Sequence, residues 1–161
     1  MEKQLKLFSS QAYCIDASAL FNLKGYPRDV FPTIWKKIET MIKNEQLISH
    51  IEVYKETQRA QDEISHWSTK HKKMFKDVDE DQIKKFQQVK AKYDPNYWAT
   101  QISGTNPWGD PWVITVSICE GTTIITDENA TKANRIPAIA SQLGAKSVNR
   151  LDFFRQIGVK Y

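Results

Sequence analysis

The chain of 161 residues has few of the residue types that mark whole classes of protein. It contains two cysteines and three histidines, and none of them stands at the spacing of a zinc site or a disulfide framework. No apolar run approaches the roughly 18 residues of a membrane span, and the N-terminal residues lack the pattern of a secretory signal. We therefore expect a cytoplasmic protein with reduced cysteines and no membrane partner.

The remaining composition is that of an ordinary globular domain. Hydrophobic residues make up 40% of the chain and charged residues 26%, and the length allows a sizeable core. We therefore expect a single domain over residues 1–161. The net charge of +4 permits a nucleic-acid partner without requiring one.

Short apolar runs alternate with helical segments along the chain. Strands are predicted at residues 12–16, 47–49, 122–127 and 146–149. Helices are predicted over "RDVFPTIWKKIETMIKNEQ", over about 53–75 and 79–93, over "DPWVITVSICEG", and in the tail over "IPAIASQLGA" and "RLDFFRQIGVKY". Residues 94–109 are predicted to form a loop or a broken helix end. In the "DPWVITVSICEG" helix, Asp110 is the expected cap and Pro111 the first residue. This alternation predicts an α/β fold with a parallel sheet covered on both faces.

Four acids are expected at one edge of this sheet, namely Asp16, Glu56, Asp110 and Asp127. Each also has a structural explanation, as a helix cap, a turn residue or an exposed helical position. Together, however, their like charges would repel unless a cation neutralised them. An all-oxygen set suits Mg²⁺ or Mn²⁺, which can activate water for hydrolysis of a phosphodiester.

Six segments, taken in order, resemble the PIN-domain nucleases, in particular the VapC-type toxins of bacterial toxin–antitoxin pairs. They are "YCIDASALFNL", "YPRDVFPTIWKKIE", "LISHIEVYKE", "GDPWVITVSI", "TIITDE" and "IPAIASQLGAKSVNRLDFFRQIGVKY". The resemblance implies a PIN-like three-layer α/β/α fold with a central parallel sheet of about five strands. It also implies a Mg²⁺- or Mn²⁺-dependent endoribonuclease that cleaves RNA and is bound by an antitoxin protein, and it leaves a homodimer open.

The resemblance assigns both the catalytic and the metal-binding roles to the four acids Asp16, Glu56, Asp110 and Asp127. Ser18 and Thr126 match hydroxyl positions that support these acids. Glu52 stands one helical turn before the second acid and is an alternative to it. Glu128 follows the last acid directly and is a further alternative, although its side chain is expected to point elsewhere.

The segment between the second and third acids, residues 57–109, is longer than a compact PIN domain needs. This length predicts a helical insertion or arm. Four of its cations, Lys70, Lys72, Lys73 and Lys76, are predicted to contact nucleic acid, with Trp67, Trp98 and Trp108 stacking on bases. The alternative is a solvated helical hairpin whose tryptophans pack on the main body.

Two other functions are compatible with the same residues. In a non-catalytic PIN-like module that binds RNA or protein, the acids would serve only as caps and salt-bridge partners. A DNA nuclease would keep the metal, but the sequence has no helix-hairpin-helix element to favour it.

Overall fold

Five short parallel strands form one sheet in the computed structural model, which describes residues 11–159. The strands are β1 (Tyr13–Ile15), β2 (Leu47–His50), β3 (Phe75–Lys76), β4 (Thr123–Ile125) and β5 (Ser147–Val148). Their order across the sheet is β3-β2-β1-β4-β5, and every neighbouring pair is parallel. The predicted α/β class with about five parallel strands is confirmed.

Nine α-helices surround the sheet within residues 11–159 and complete the predicted three-layer arrangement. They are α1 (Ala17–Asn22), α2 (Pro32–Lys43), α3 (Ile51–Ala60), α4 (Glu63–Lys70), α5 (Glu80–Lys90), α6 (Pro95–Ser103), α7 (Asp110–Glu120), α8 (Ile136–Gln142) and α9 (Arg150–Gln156). In this part of the chain, none of the helices combines the length and the apolar character needed to cross a membrane.

The central strands are buried on both faces, as is typical of a parallel sheet. In the register of β1 and β4, Cys14 lies opposite Ile124 and Ile15 opposite Ile125, and all four are buried. Helix α7 packs against β1, β2 and β4 and ends at Gly121, whose φ of 71° is a left-handed conformation suited to glycine. The core therefore holds in place the edge of the sheet where β1 and β4 end.

The helix predicted over residues 53–75 is interrupted, and this corrects the sequence prediction. Helix α3 ends at Ala60, and Gln61 adopts a left-handed conformation with φ 50°. Asp62 then starts α4 by accepting hydrogen bonds from the backbone amides of Ile64 and Ser65. After α4 the chain enters β3, which pairs with β2 and consists of only two residues, too few to show a strand period.

The segment predicted as a loop at residues 94–109 contains α6. Asp94 caps this helix by accepting from the amide of Tyr97 at 3.0 Å, and Pro95 is its first residue. The ring of Trp98 is buried and lies 5.2 Å from that of Trp108. Trp67 is also buried, so the structure favours the packed alternative for these tryptophans over base stacking. The segment 57–109 thus contributes an edge strand and packed helices to the fold.

Candidate metal centre

Asp16 follows β1 directly and is buried at the carboxyl end of the sheet. Its Oδ1 accepts from the amide of Ala19 at 2.9 Å and caps α1, while its Oδ2 accepts from the hydroxyl of Thr126 at 2.6 Å. Burial raises the pKa of Asp16 to about 7, although both hydrogen bonds favour the charged form and lower it. The residue is therefore a helix cap whose carboxylate is costly to ionise.

Asp110 is the first residue of α7, and its carboxyl group is turned into the protein. The structure corrects the prediction that Asp110 caps this helix, because Gly109 occupies the cap position. The Asp110 carboxyl group is instead buried and lies close to that of Glu128. Burial, and then the negative charge of Glu128, raise the pKa of Asp110 well above its ordinary value.

Glu128 brings a third carboxylate to the same place. One oxygen from each of Asp16, Asp110 and Glu128 can be chosen so that all three lie within 4.8 Å of one another. We call these three residues the acidic triad. Two oxygens bound to one Mg²⁺ at about 2.1 Å are at most about 4.2 Å apart, so small side-chain shifts would complete such a site.

Asp127 lies outside the acidic triad, whereas Glu128, whose side chain was expected to point elsewhere, lies within it. The Oδ2 of Asp127 forms a salt bridge with Nη1 of Arg150 at 3.0 Å and accepts from Asn22 at 2.8 Å. Its Oδ1 accepts from the backbone amide of Arg150, the first residue of α9. Asp127 is thus held at the start of α9, and it is the side chain of Glu128 that enters the cluster.

Glu56 lies beside the acidic triad on α3. Burial, and then the negative charges of Asp16 and Glu128, raise the pKa of Glu56 to about 7. Its carboxylate accepts a hydrogen bond from the backbone amide of Gly109. Glu52, the predicted alternative, instead pairs with Lys55 at 2.8 Å.

Gly109 is a site residue that sequence reasoning missed. A Cβ atom at this position would lie 2.9 Å from Oε1 of Glu56 and 2.9 Å from Cγ2 of Val53. The backbone of Gly109 can therefore approach the Glu56 carboxylate only because it has no side chain. A glycine immediately before the Asp-Pro start of a helix was the available signal.

A family model described as a domain of unknown function, DUF4411, matches residues 13–161 and so includes the whole acidic triad. The chain belongs to the DUF4411 family. No curated protein matches the chain.

Two predicted hydroxyl residues connect the parts of this DUF4411 site. The hydroxyl of Ser18 lies 2.9 Å from both carboxylate oxygens of Asp16 and accepts from the amide of Asp127 at 3.0 Å. Thr126, which donates to Asp16, accepts from the amide of Glu128 at 3.1 Å. The two side chains therefore fix the segment after β4 relative to the end of β1.

The predicted nucleic-acid contacts line a separate groove of about 560 Å³ on the DUF4411 domain. Its cations are Lys43, Lys70, Lys72, Lys73 and Lys76, and we call it the lysine groove. Leu47, Ile48 and Met74 contribute apolar surface to it, and none of the acidic triad lines it. Nucleic-acid binding by these lysines stays a prediction.

Proposed function

We propose that this DUF4411 domain is a PIN-like, Mg²⁺- or Mn²⁺-dependent endoribonuclease that hydrolyses RNA phosphodiesters. The observation that carries the proposal is the convergence of three carboxylates, two of them buried, from separate elements at the carboxyl edge of a parallel sheet. In open α/β sheets this edge is where ligands bind. The order of the matching sequence segments supports the PIN-like assignment.

The charge balance of the site supports a cation as its ligand. Buried carboxylates are stable only when they are protonated, hydrogen-bonded or paired with a positive charge. Burial and the negative charge of Glu128 raise the pKa of Asp110 well above its ordinary value, so an ionised Asp110 is unfavourable here without a positive charge. A divalent cation held by the acidic triad would supply that charge and suit the all-oxygen donor set.

The residues around the acidic triad have positioning roles in this proposal. Thr126 and Ser18 orient the Asp16 carboxylate, and the amide of Gly109 orients Glu56. When bound, Mg²⁺ or Mn²⁺ supplies activation of water and stabilises negative charge on the phosphodiester. Glu56, with its pKa near 7, can accept a proton at neutral pH.

Asp110→Asn tests the proposed hydrolysis. The variant keeps the size of the side chain but removes a carboxylate ligand, so we expect Mn²⁺-dependent cleavage of single-stranded RNA to fall by at least about 100-fold. Asp152→Asn is the matched control, because Asp152 lies on α9 outside the acidic triad and its half-exposed side chain pairs with Arg155 at 2.7 Å. Equal RNA cleavage by the two variants would refute the proposal.

We further propose that the enzyme acts as the toxin of a toxin–antitoxin pair, as the resemblance implies. Induced expression in a bacterial host should then arrest growth, and the Asp110→Asn variant should not. Co-expression with the product of the adjacent gene should relieve the arrest and yield a complex of the two proteins. Normal growth with a wild-type protein that cleaves RNA in vitro would reject the toxin role and keep the nuclease.

A second candidate is a non-catalytic binding module, and one observation favours it. Asp16, Glu56 and Glu128 already accept backbone hydrogen bonds, from Ala19, Gly109 and Ile136 respectively. The acids could therefore serve the fold alone. Calorimetry distinguishes the two functions, because the module predicts no heat of binding at millimolar Mn²⁺.

A further inference from the structure

The lysine groove carries a concentrated positive charge. Its five lysines stand against one acid, Glu45. Within residues 11–159 none of these lysines takes part in a salt bridge, and Lys72 lies over the ring of Tyr54 at 5.2 Å. Positive charge that the protein does not neutralise attracts a polyanion, so the groove suits a chain of phosphates.

A second cavity, of about 480 Å³, adjoins the lysine groove and shares Lys70 and His71 with it. We call it the Tyr26 pocket, and four aromatic residues line it, namely Tyr26, Trp35, Trp67 and His71. The two tryptophans are buried, whereas Tyr26 and His71 are half-buried, so part of each of these two rings is accessible. Of the acids in its lining, Glu39 pairs with Arg28 and Glu63 is exposed. A pocket of this size accepts a small planar group.

Tyr26 also connects this pocket to the metal centre. Its hydroxyl accepts from Nε of Arg150 at 3.3 Å, and Nη1 of Arg150 pairs with Asp127 at 3.0 Å. Asp127 directly precedes Glu128 of the acidic triad. Direct contacts therefore lead from the acidic triad to the Tyr26 pocket, and shared residues lead from that pocket to the lysine groove.

We propose that the lysine groove and the Tyr26 pocket together bind single-stranded RNA beside the metal centre. The phosphates contact the lysines, and one base occupies the Tyr26 pocket. Only a single strand fits both cavities, because the bases of a duplex are stacked and paired. An acidic protein would match the lysines equally well, but it would give the aromatic pocket no role. This inference rests on the proposed function for the choice of substrate, whereas the binding itself needs no metal.

Fluorescence anisotropy with labelled oligouridylate in EDTA measures this binding on the full chain without cleavage. Lys70→Gln combined with Lys73→Gln should weaken the affinity at least roughly ten-fold. The slope of log affinity against log salt concentration should become shallower by roughly 1.4, at about 0.7 for each lost phosphate contact.

Lys84→Gln combined with Lys92→Gln is the matched control for this double variant. Both lysines are exposed, line neither cavity and give the same change of net charge. The affinity of the control should stay within about two-fold of that of the wild type. Equal losses in the two double variants would refute the site, because only net charge would then matter.

His71→Ala tests the base in the Tyr26 pocket. At pH 8 the imidazole is neutral, so the variant removes a ring without changing the charge. It should bind oligouridylate at least about five-fold more weakly and inorganic polyphosphate within about two-fold of the wild type. The retained polyphosphate binding also shows that the variant is folded. Equal effects on the two ligands would refute the base-binding role.

The remaining outcomes distinguish the ligand classes and the two proposals. Polyglutamate that displaces oligouridylate at equal charge concentration would replace RNA by an acidic protein as the ligand. RNA binding with the expected losses but without Mn²⁺-dependent cleavage would reject the nuclease and keep this RNA site. Mn²⁺-dependent cleavage, with RNA binding unchanged in the double variant of Lys70 and Lys73, would reject the RNA site and keep the nuclease.

Discussion

Raising the pH should destabilise the metal-free protein, because the buried acids of the site, Asp16 and Glu56 among them, resist ionisation in the folded state. The pKa of Asp16 rises from 3.8 to about 7 on folding, and that of Glu56 from 4.5 to about 7. A raised pKa contributes stability that is fully present below the unfolded value and is lost as the pH rises through the folded value. The loss should therefore extend from about pH 4 to just above pH 7.

The size of this effect follows from the same values. Between pH 5 and pH 8, each acid should lower the free energy of unfolding by roughly 2–3 kcal/mol. For a chain of this length, that is a fall of roughly 5–10 °C in melting temperature for each acid. In Asp16→Asn the buried charge is absent, and asparagine still caps α1, so the part of the pH dependence that Asp16 contributes should disappear.

Thermal melts in EDTA at pH 5 and pH 8 measure this loss directly. Adding Mn²⁺ at pH 8 should restore most of the lost stability, because the cation compensates the ionised carboxylates. A melting temperature in EDTA that does not change between these two pH values would refute the reasoning, as would an Asp16→Asn variant with the pH dependence of the wild type.

Two further pairs of substitutions distinguish the packing of the site from its metal ligands. Gly109→Ala should lower the free energy of unfolding by about 1–3 kcal/mol in chemical denaturation, because the new methyl group overlaps its neighbours. Gly25→Ala should leave the free energy of unfolding unchanged, because no atom lies within 4 Å of the added carbon. Equal losses of unfolding free energy in the two variants would contradict the account of Gly109. In calorimetry, Glu128→Gln should weaken Mn²⁺ binding at least ten-fold, while Asp127→Asn should lower stability through its lost pairing with Arg150 and leave Mn²⁺ affinity within two-fold. If Asp127→Asn weakens Mn²⁺ binding more than Glu128→Gln does, Asp127 is the ligand and Glu128 is not.

The elements that lead to the site were predictable because strong local signals mark them. Asp16 ends a buried strand and precedes a helix, and Asp110 stands beside a proline at the start of another. Since parallel strands share one carboxyl edge, these signals predict that acids far apart in the sequence lie close together. They did not show that Asp110 leaves capping to its neighbour and turns its side chain inward.

The choice between Asp127 and Glu128 could not be predicted from local sequence. Both follow the end of β4, where the alternation of a strand no longer fixes side-chain direction. What decides it is Arg150, a distant residue that pairs with Asp127 at the start of α9. Strand β3 could not be predicted for a related reason. Two residues are too few to show a periodicity, and only their pairing with β2 makes them a strand.

A crystal structure with Mn²⁺ tests the central claim most directly, because the anomalous signal locates the ion. We predict one peak roughly 2 Å from an oxygen of each member of the acidic triad. A crystal that holds Mn²⁺ elsewhere, or that holds none after exposure to millimolar Mn²⁺, would contradict the metal centre.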